Sequence, residues 1–318
     1  MPSKLLLALG VFCAPLFSAI GDEVLFKKSI ADLMSDPSSE YHIPSAFKRT
    51  YSPEPNGCLR SFQALFNERG KIVREERDEV LVELSHVFYN NKGSRVREST
   101  YWASCSDVIT MSEIRSQGLE AFVPAPIVHG VPGLVEAEDV VILRQPWKDK
   151  ATGQIFSAGT RFVCSSRVRC KSSHIPVKRL IFNDKSCDNR ITGRSFCIPK
   201  KLCQLPGALK NGDEKRAAFV QLLSEWSVDN VGCCIKKCAI PFVWGGGSYT
   251  FRVPYNDFVK KVDVVTDSLG FEKKVGYWDR PCVCSMSSGF DCSMLLVRAA
   301  QICGIPYFCR NSFAVGPS

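Results

Sequence analysis

Between residues 25 and 110 the apolar positions come in short runs broken by turn residues. Phe62-Gln63-Ala64-Leu65-Phe66 leads into Asn67-Glu68-Arg69-Gly70, and Lys71-Ile72-Val73-Arg74-Glu75-Glu76 follows. Glu79 to Leu84 alternates in part, and Ser99-Thr100-Tyr101-Trp102-Ala103 closes the unit. Short strands with frequent turn signals predict a small barrel or sandwich. Residues 118–200 repeat the style. Val140-Val141-Ile142-Leu143 is a β-branched run, and Ser157 to Val163 reads as a turn and then a strand. Pro124, Pro126, Pro132 and Gly133 mark the linker between the two units.

From Gly212 the period changes. Ala217, Val220, Leu223 and Trp226 recur at helical spacing, so Asp213 to Asn230 is expected to be a helix, with Asp213 as its N-cap. A second helix is expected from Asp291 or Cys292 through Leu295, Leu296, Ala299 and Ile302. Gly304 would cap it, and Pro306 stands just beyond.

At the other end, Lys4 precedes an apolar stretch of 16 residues from Leu5 to Ile20, with small residues at Ala19 and Gly21. That is the form of a secretory signal and is short for a spanning helix, which wants ~20 apolar residues. Cleavage is expected after Gly21, with the bond after Ala19 as the alternative. The expected location is therefore exported: periplasm or cell envelope, or secreted. The chain has 318 residues and 16 cysteines. An exported cysteine-rich chain suits an oxidising compartment and disulfides. Zinc fits the spacing poorly, because Cys282-Val-Cys284 and Cys233-Cys234 are the close pairs and no C-x-x-C occurs. No metal and no cofactor is expected. Net charge is +9, which suits anionic envelope polymers or membrane surfaces. The Lys and Arg are scattered and no nucleic-acid motif accompanies them, so no nucleic-acid partner is expected.

The candidate chemistry lies in two segments, Ile240-Pro-Phe-Val-Trp244-Gly-Gly-Gly247-Ser248 and Ser288-Gly-Phe-Asp291-Cys292-Ser293. Cys292 stands at the mouth of a predicted helix. The positive end of a helix dipole favours a thiolate placed there. Backbone N–H groups of the first turn can also meet an oxyanion when a thiolate attacks a carbonyl. As a bland alternative, Cys292 would be one more disulfide partner. Asp291 and Ser293 would then be ordinary capping residues.

Two small all-β units followed by Pro-Phe-Val-Trp-Gly-Gly and Gly-Phe-Asp-Cys-Ser resemble the NlpC-type cell-wall cysteine peptidases. The likeness is to the YkfC-like branch in particular, in which two bacterial SH3-like barrels precede a papain-like domain. The resemblance implies a multidomain fold: a signal at 1–21, SH3-like barrels at 22–112 and 113–205, and the N-terminal part of an NlpC-type α+β peptidase domain at 206–318. It implies hydrolysis of the γ-D-glutamyl-diamino acid bond of peptidoglycan stem peptides or muropeptides, with Cys292 as the nucleophile. Asp291 and Ser293 would hold the substrate amine, Trp244 would form a pocket wall, and Tyr101 would close the pocket from the first barrel.

The sequence departs from that pattern at three places. Met294 stands where the family has glycine, and 39 residues separate Ser248 from Ser288 as a lid, a substrate-selecting insertion or an inert surface loop. The 26 residues after Cys292 hold no histidine, and His42, His86, His129 and His174 all lie upstream. Three explanations are open: a truncated peptidase domain, a degenerate relative, or a base recruited from an upstream histidine or a partner chain. A nucleophile helix without its sheet would leave Leu295, Leu296 and Ile302 poorly covered. The alternative function is a non-catalytic, disulfide-rich envelope protein binding peptidoglycan through its SH3-like units, with disulfide-linked partners.

Overall fold

The computed structural model describes residues 20–37, 60–85, 87, 89–90, 97–130, 133–135, 139–165, 170–182, 190–205, 209, 211–227, 238–240, 246–251, 253–254, 259–266, 272–279 and 288–307. Trp244, His42, His86 and the expected signal up to residue 19 lie outside them. Most of the described chain is β-structure.

The first unit is a seven-stranded antiparallel sheet. Its strands are β1 (Glu23–Phe26), β2 (Ile30–Met34), β3 (Arg60–Leu65), β4 (Arg69–Glu76), β5 (Glu79–Glu83), β6 (Thr100–Ser104) and β7 (Val108–Thr110). Their order is β3-β2-β6-β5-β4-β1-β7. The turn between β3 and β4 falls where the sequence places it, and Asn67 takes a left-handed φ of 67° there, which Asn tolerates better than most side chains. The second unit is a five-stranded sheet of β8 (Val140–Leu143), β9 (Arg161–Cys164), β10 (His174–Phe182), β11 (Ile191–Pro199) and β12 (Cys203–Gln204), in the order β11-β10-β9-β8-β12. Antiparallel pairing of short strands is what these units share with the expected barrels.

The linker marked by the prolines carries a ribbon of its own, Val128–Gly130 against Gly133–Val135. The connection between Ser248 and Ser288 is likewise no plain loop. Val259–Thr266 pairs with Glu272–Asp279 in an eight-residue antiparallel ribbon, and Tyr277 and Trp278 lie in its second strand.

A short helix, Met111–Ser116, follows β7 and buries Met111 and Ile114. Two longer helices complete the described fold, α1 (Gly212–Ser227) and α2 (Cys292–Ile302). Both differ in detail from the sequence expectation. Asn211, not Asp213, caps α1, its Oδ1 accepting the Glu214 N–H at 2.9 Å. The buried face of α1 is also rotated by about one residue. Ala218, Phe219, Leu222, Leu223 and Trp226 face inward, while Val220 is 65% exposed. The reason is Trp226, which stacks on Phe290 at 5.1 Å and donates Nε1–H to the Arg144 carbonyl. With Trp226 anchored, the residues three, four, seven and eight positions before it share its face. On α2, Met294 is fully buried and Leu296 is exposed. Gly304, at φ 65°, ends the helix as predicted. Gly304 N–H bonds to Gln301 O and Ile305 N–H to Ala300 O, a Schellman arrangement that needs the left-handed residue.

Of Leu295, Leu296 and Ile302, all expected to be poorly covered, Leu296 is exposed and Leu295 half-buried, but Ile302 is covered. Ile302 is 1% exposed, and it shares a core with Val24, Phe26, Phe62 and Tyr101 of the first sheet, Val140 and Ile142 of the second, and Leu222 and Trp226 of α1. Phe66, from the first unit's turn, inserts into the second unit's core against Phe156 at 5.2 Å. Leu25 and Ile109 join Leu180 and Ile191 of the second unit. Each apolar cluster thus draws on more than one of the expected units.

One buried cation pins the helix to the sheet. Arg298, 1% exposed, pairs with Glu68 from the β3–β4 turn. Its Nε donates to the Gly247 carbonyl and its Nη2 to the Gln63 carbonyl, each at 2.8 Å. Nη1 also reaches Gln301 Oε1 at 3.0 Å, and the guanidinium lies over the Phe62 ring. Removing one member of a buried pair strands the other, at a cost of about 3–5 kcal/mol. Arg298→Met is therefore expected to lower unfolding free energy by that amount in denaturant titration, and Glu68→Gln, which keeps an acceptor oxygen, by less. Equal, small losses in both would show that the pair does not hold the helix.

Candidate functional site

The site is built from two short strands and a helix mouth. β13 (Gly247–Ser248) pairs antiparallel with β14 (Gly289–Phe290), bringing the two sequence segments together. The Asp291 N–H then bonds to the Gly246 carbonyl at 3.0 Å, so the turn that presents Cys292 is fastened to the glycine segment.

Glycine at 247 has a physical reason. A Cβ there would meet Gln63 O at 3.2 Å, Met294 Cε at 3.2 Å and Phe62 Cε2 at 3.4 Å. Met294 therefore does not crowd the thiol. It packs beneath β13, inside the core. Gln63, buried on β3, supports the same strand: its Oε1 accepts the Gly247 N–H at 3.1 Å and the Ser248 hydroxyl at 2.7 Å. Its Nε2 donates to Asp32 Oδ1, which also pairs with Arg60 Nε, each at 2.8 Å. Ser288 Oγ lies 3.1 Å from Ser248 Oγ.

At the helix mouth, Asp291 is the N-cap in extended backbone, and its Oδ1 accepts the Met294 N–H at 2.7 Å. Ser293 Oγ donates to the same oxygen at 2.9 Å. The capping roles of Asp291 and Ser293 are thus realised together. A helix start leaves four N–H groups without intrahelical partners. Here the Asp291 and Met294 groups are bonded as described. The Cys292 and Ser293 N–H groups remain, with no partner among the described residues. Cys292 itself is exposed at the first helical position.

The structure separates the predicted site residues. Asp291, Cys292 and Ser293 sit together with Gly246 and Gly247. Tyr101 is fully buried, its ring 5.4 Å from Phe62, so it lies in the core beneath β13. The tryptophan whose contact with the Cys292 turn is described is Trp226, stacked on Phe290. Among the histidines, the side chain of His174 alone is described, and its Nδ1 is 3.0 Å from Ser173 Oγ in the second sheet. Sequence reasoning missed Gln63, Glu68 and Arg298. The signal for Arg298 was present: a charge inside the apolar run Leu295 to Ile302 is buried only with a partner.

The thiols fall into two kinds. Among the described residues one disulfide forms, Cys170–Cys197, while Cys105, Cys164, Cys203 and Cys303 remain thiols beside Cys292. The expectation of disulfides is met among the described residues at Cys170–Cys197. Burial pushes the Cys303 thiol up to about 11, against a smaller opposing effect from Arg144. Burial, with Asp78 and Glu75 nearby, raises Cys105 to about 11, and Cys203 rises to about 12. Such thiols stay protonated and unreactive near neutral pH.

No family model matches the chain, and no curated protein matches it. Among solved structures, an NlpC/P60 family protein from Bacillus cereus aligns over 89% of this chain and 72% of its own, at 12% identity and a TM-score of 0.45. NlpC2 from Trichomonas vaginalis aligns over 72% of this chain and 61% of its own, at 10% identity and a TM-score of 0.19. Both likenesses are too distant to carry an assignment, which rests on the residues themselves.

Two outcomes are expected. At pH near 8, iodoacetamide should label Cys292 well before Cys105, Cys203 and Cys303, as read by peptide mapping; faster labelling of Cys303 would overturn the contrast. The raised thiols bind their protons more tightly folded than unfolded. Their contribution to stability is complete below about pH 8.5 and is lost as pH climbs towards 11. The melting temperature should fall across that window, and by less in Cys303→Ala than in the wild type.

Proposed function

We propose that this chain is a cysteine hydrolase of peptidoglycan stem peptides that cuts the γ-D-glutamyl-diamino acid bond, outside the cytoplasm. The observation that carries the reading is the exposed Cys292 thiol at the first position of α2, flanked by the Cys292 and Ser293 N–H groups. The Gly-Phe-Asp-Cys-Ser and Trp-Gly-Gly segments supply the substrate class by their resemblance to the NlpC-type peptidases. Cys170–Cys197 supports an oxidising compartment. Among the described residues no helix is long and apolar enough to cross a membrane.

In this reading the Cys292 thiolate attacks the amide carbon, and the two N–H groups meet the oxyanion that develops. Collapse breaks the C–N bond, the amine leaves with a proton, and water releases the thioester. The proton acceptor for the first step is not assigned to a described residue. Asp291 and Ser293 would face the substrate's free amine while retaining the cap.

The direct test incubates L-alanyl-γ-D-glutamyl-diaminopimelate with the wild type and with Cys292→Ala. Release of the diamino acid by the wild type alone is expected, and no release from folded wild type would overturn the peptidase reading. A second variant separates the two roles of Asp291. Asparagine caps a helix as well as aspartate, so Asp291→Asn should change stability by less than about 1 kcal/mol. It should also raise KM about tenfold or more for the free-amine peptide, but not for its N-acetylated form. An equal KM for both peptides would confine Asp291 to capping.

A further inference from the structure

The lysines and arginines are spread along the chain, but the net charge is not. Between residues 166 and 201 there are ten Lys and Arg against two Asp, a net +8, so all the other residues together contribute +1 of the total +9. The described part of this stretch is centred on the β10–β11 hairpin. Residues 170–182 and 190–205 hold no Asp or Glu, and they carry Lys171, Lys178, Arg179, Arg190, Arg194, Lys200 and Lys201. Arg179 is an internal anchor: it is buried, pairs with Asp149 Oδ2 at 2.8 Å and lies over the rings of Phe156 and Phe196. The other six are at the surface, with Lys178 half-buried. None of the six is ion-paired to a carboxylate among the described residues.

The register shows how these charges are arranged. Arg194 is opposite Arg179 and shares its face of the ribbon, whereas Lys178 is opposite Ser195 on the other face. At the ribbon's end His174 pairs with Pro199, and the Lys200 N–H bonds to the Ser173 carbonyl at 2.9 Å. This gathers Lys171, Lys200 and Lys201 at that end, where Cys170–Cys197 ties the chain across the hairpin. β11 is an edge strand of its sheet. Positive charge thus occupies one end and the exposed part of one face of the ribbon, and the half-buried Lys178 adds to it on the other face, where Leu180 and Ile191 pack into a core.

We propose that this hairpin is a docking surface for a flexible anionic polymer of repeated phosphodiesters outside the cytoplasm. A flat lipid surface would engage one face of the ribbon, whereas a flexible chain can pass over the edge and meet charges on both. A nucleic acid strand is held partly by stacking on exposed rings. The rings of this hairpin, Phe182 and Phe196, are packed against the core instead, Phe196 stacking on Trp147 at 4.9 Å. The adjoining disulfide also suits an exported partner. The proposal uses none of the residues of the Cys292 turn, so it stands or falls independently of the peptidase reading.

The test measures binding of fluorescently tagged poly(glycerol phosphate) by anisotropy. If about four phosphates are neutralised, counterion release predicts that affinity falls about 50-fold between about 50 and about 200 mM salt. The variant Lys171→Ser/Arg194→Gln/Lys200→Ser/Lys201→Ser, with its fold checked by circular dichroism, should bind at least about tenfold more weakly. A control losing four charges elsewhere, Lys71→Ser/Arg74→Gln/Arg77→Asn/Arg216→Gln, should bind within about twofold of the wild type. Absence of binding, or equal loss in both variants, would overturn the proposal. So would tighter binding to a single-stranded oligonucleotide or to phosphatidylglycerol vesicles than to the polymer.

Discussion

The guanidinium of Arg298 is where the parts of this molecule meet. It sits one turn and a half beyond Cys292 on the same helix, closed from water, and pairs with Glu68 from the first sheet's β3–β4 turn. The carbonyls it bonds belong to Gly247, on the strand beside the thiol, and to Gln63. A buried charge that loses its partner costs several kcal/mol, so helix, glycine strand and sheet cannot separate without exposing or stranding an ion. Gly159, at φ 92°, lets the second unit approach the same side chain, since a Cβ there would lie 3.0 Å from Leu65 Cδ1 and 3.5 Å from Arg298 Cδ.

From that constraint the site follows in order. Gln63 and Arg298 hold β13 by its amide and carbonyl, and β13 pairs with β14. Gly246 then receives the Asp291 amide, and Asp291 caps the helix that carries Cys292. The thiol is exposed because it is the first residue past the cap, with its N–H directed outward along the helix axis. The other four described thiols are half-buried or buried, and desolvation raises each of them. Burial, aided at Cys105 by Asp78 and Glu75 and at Cys164 by Asp139, sets these thiols apart from the exposed Cys292 with no change of residue type.

Much of this was legible in the residues. The turns at Asn67 and Gly159, the strands at Val140 and Thr100, and the start, cap and glycine end of α2 all follow from local pattern. The apolar spacing of the first helix predicts a face about one residue out of phase with the observed one. Leu222 and Phe219 are as apolar as Leu223 and Val220, and only the seating of Trp226 on Phe290 chooses between the two faces. Lys260, Lys261, Asp263, Lys273 and Lys274 obscure the alternation of the ribbon at Val259–Thr266 and Glu272–Asp279.

The sequence by itself determined the local chemistry: where the chain turns, where a helix can begin, and that a cysteine stands at such a beginning. These depend on neighbours within a few positions, through φ/ψ preference and capping. Only the tertiary structure decided what covers α2 and which cysteines stay exposed. Those outcomes depend on contacts between residues more than two hundred positions apart, such as Glu68 with Arg298. Such a contact leaves no mark on its flanking residues beyond a charge in an apolar run. The basic hairpin stands between the two cases: its charge is written in the sequence, but its distribution over both faces is set by the register of β10 against β11.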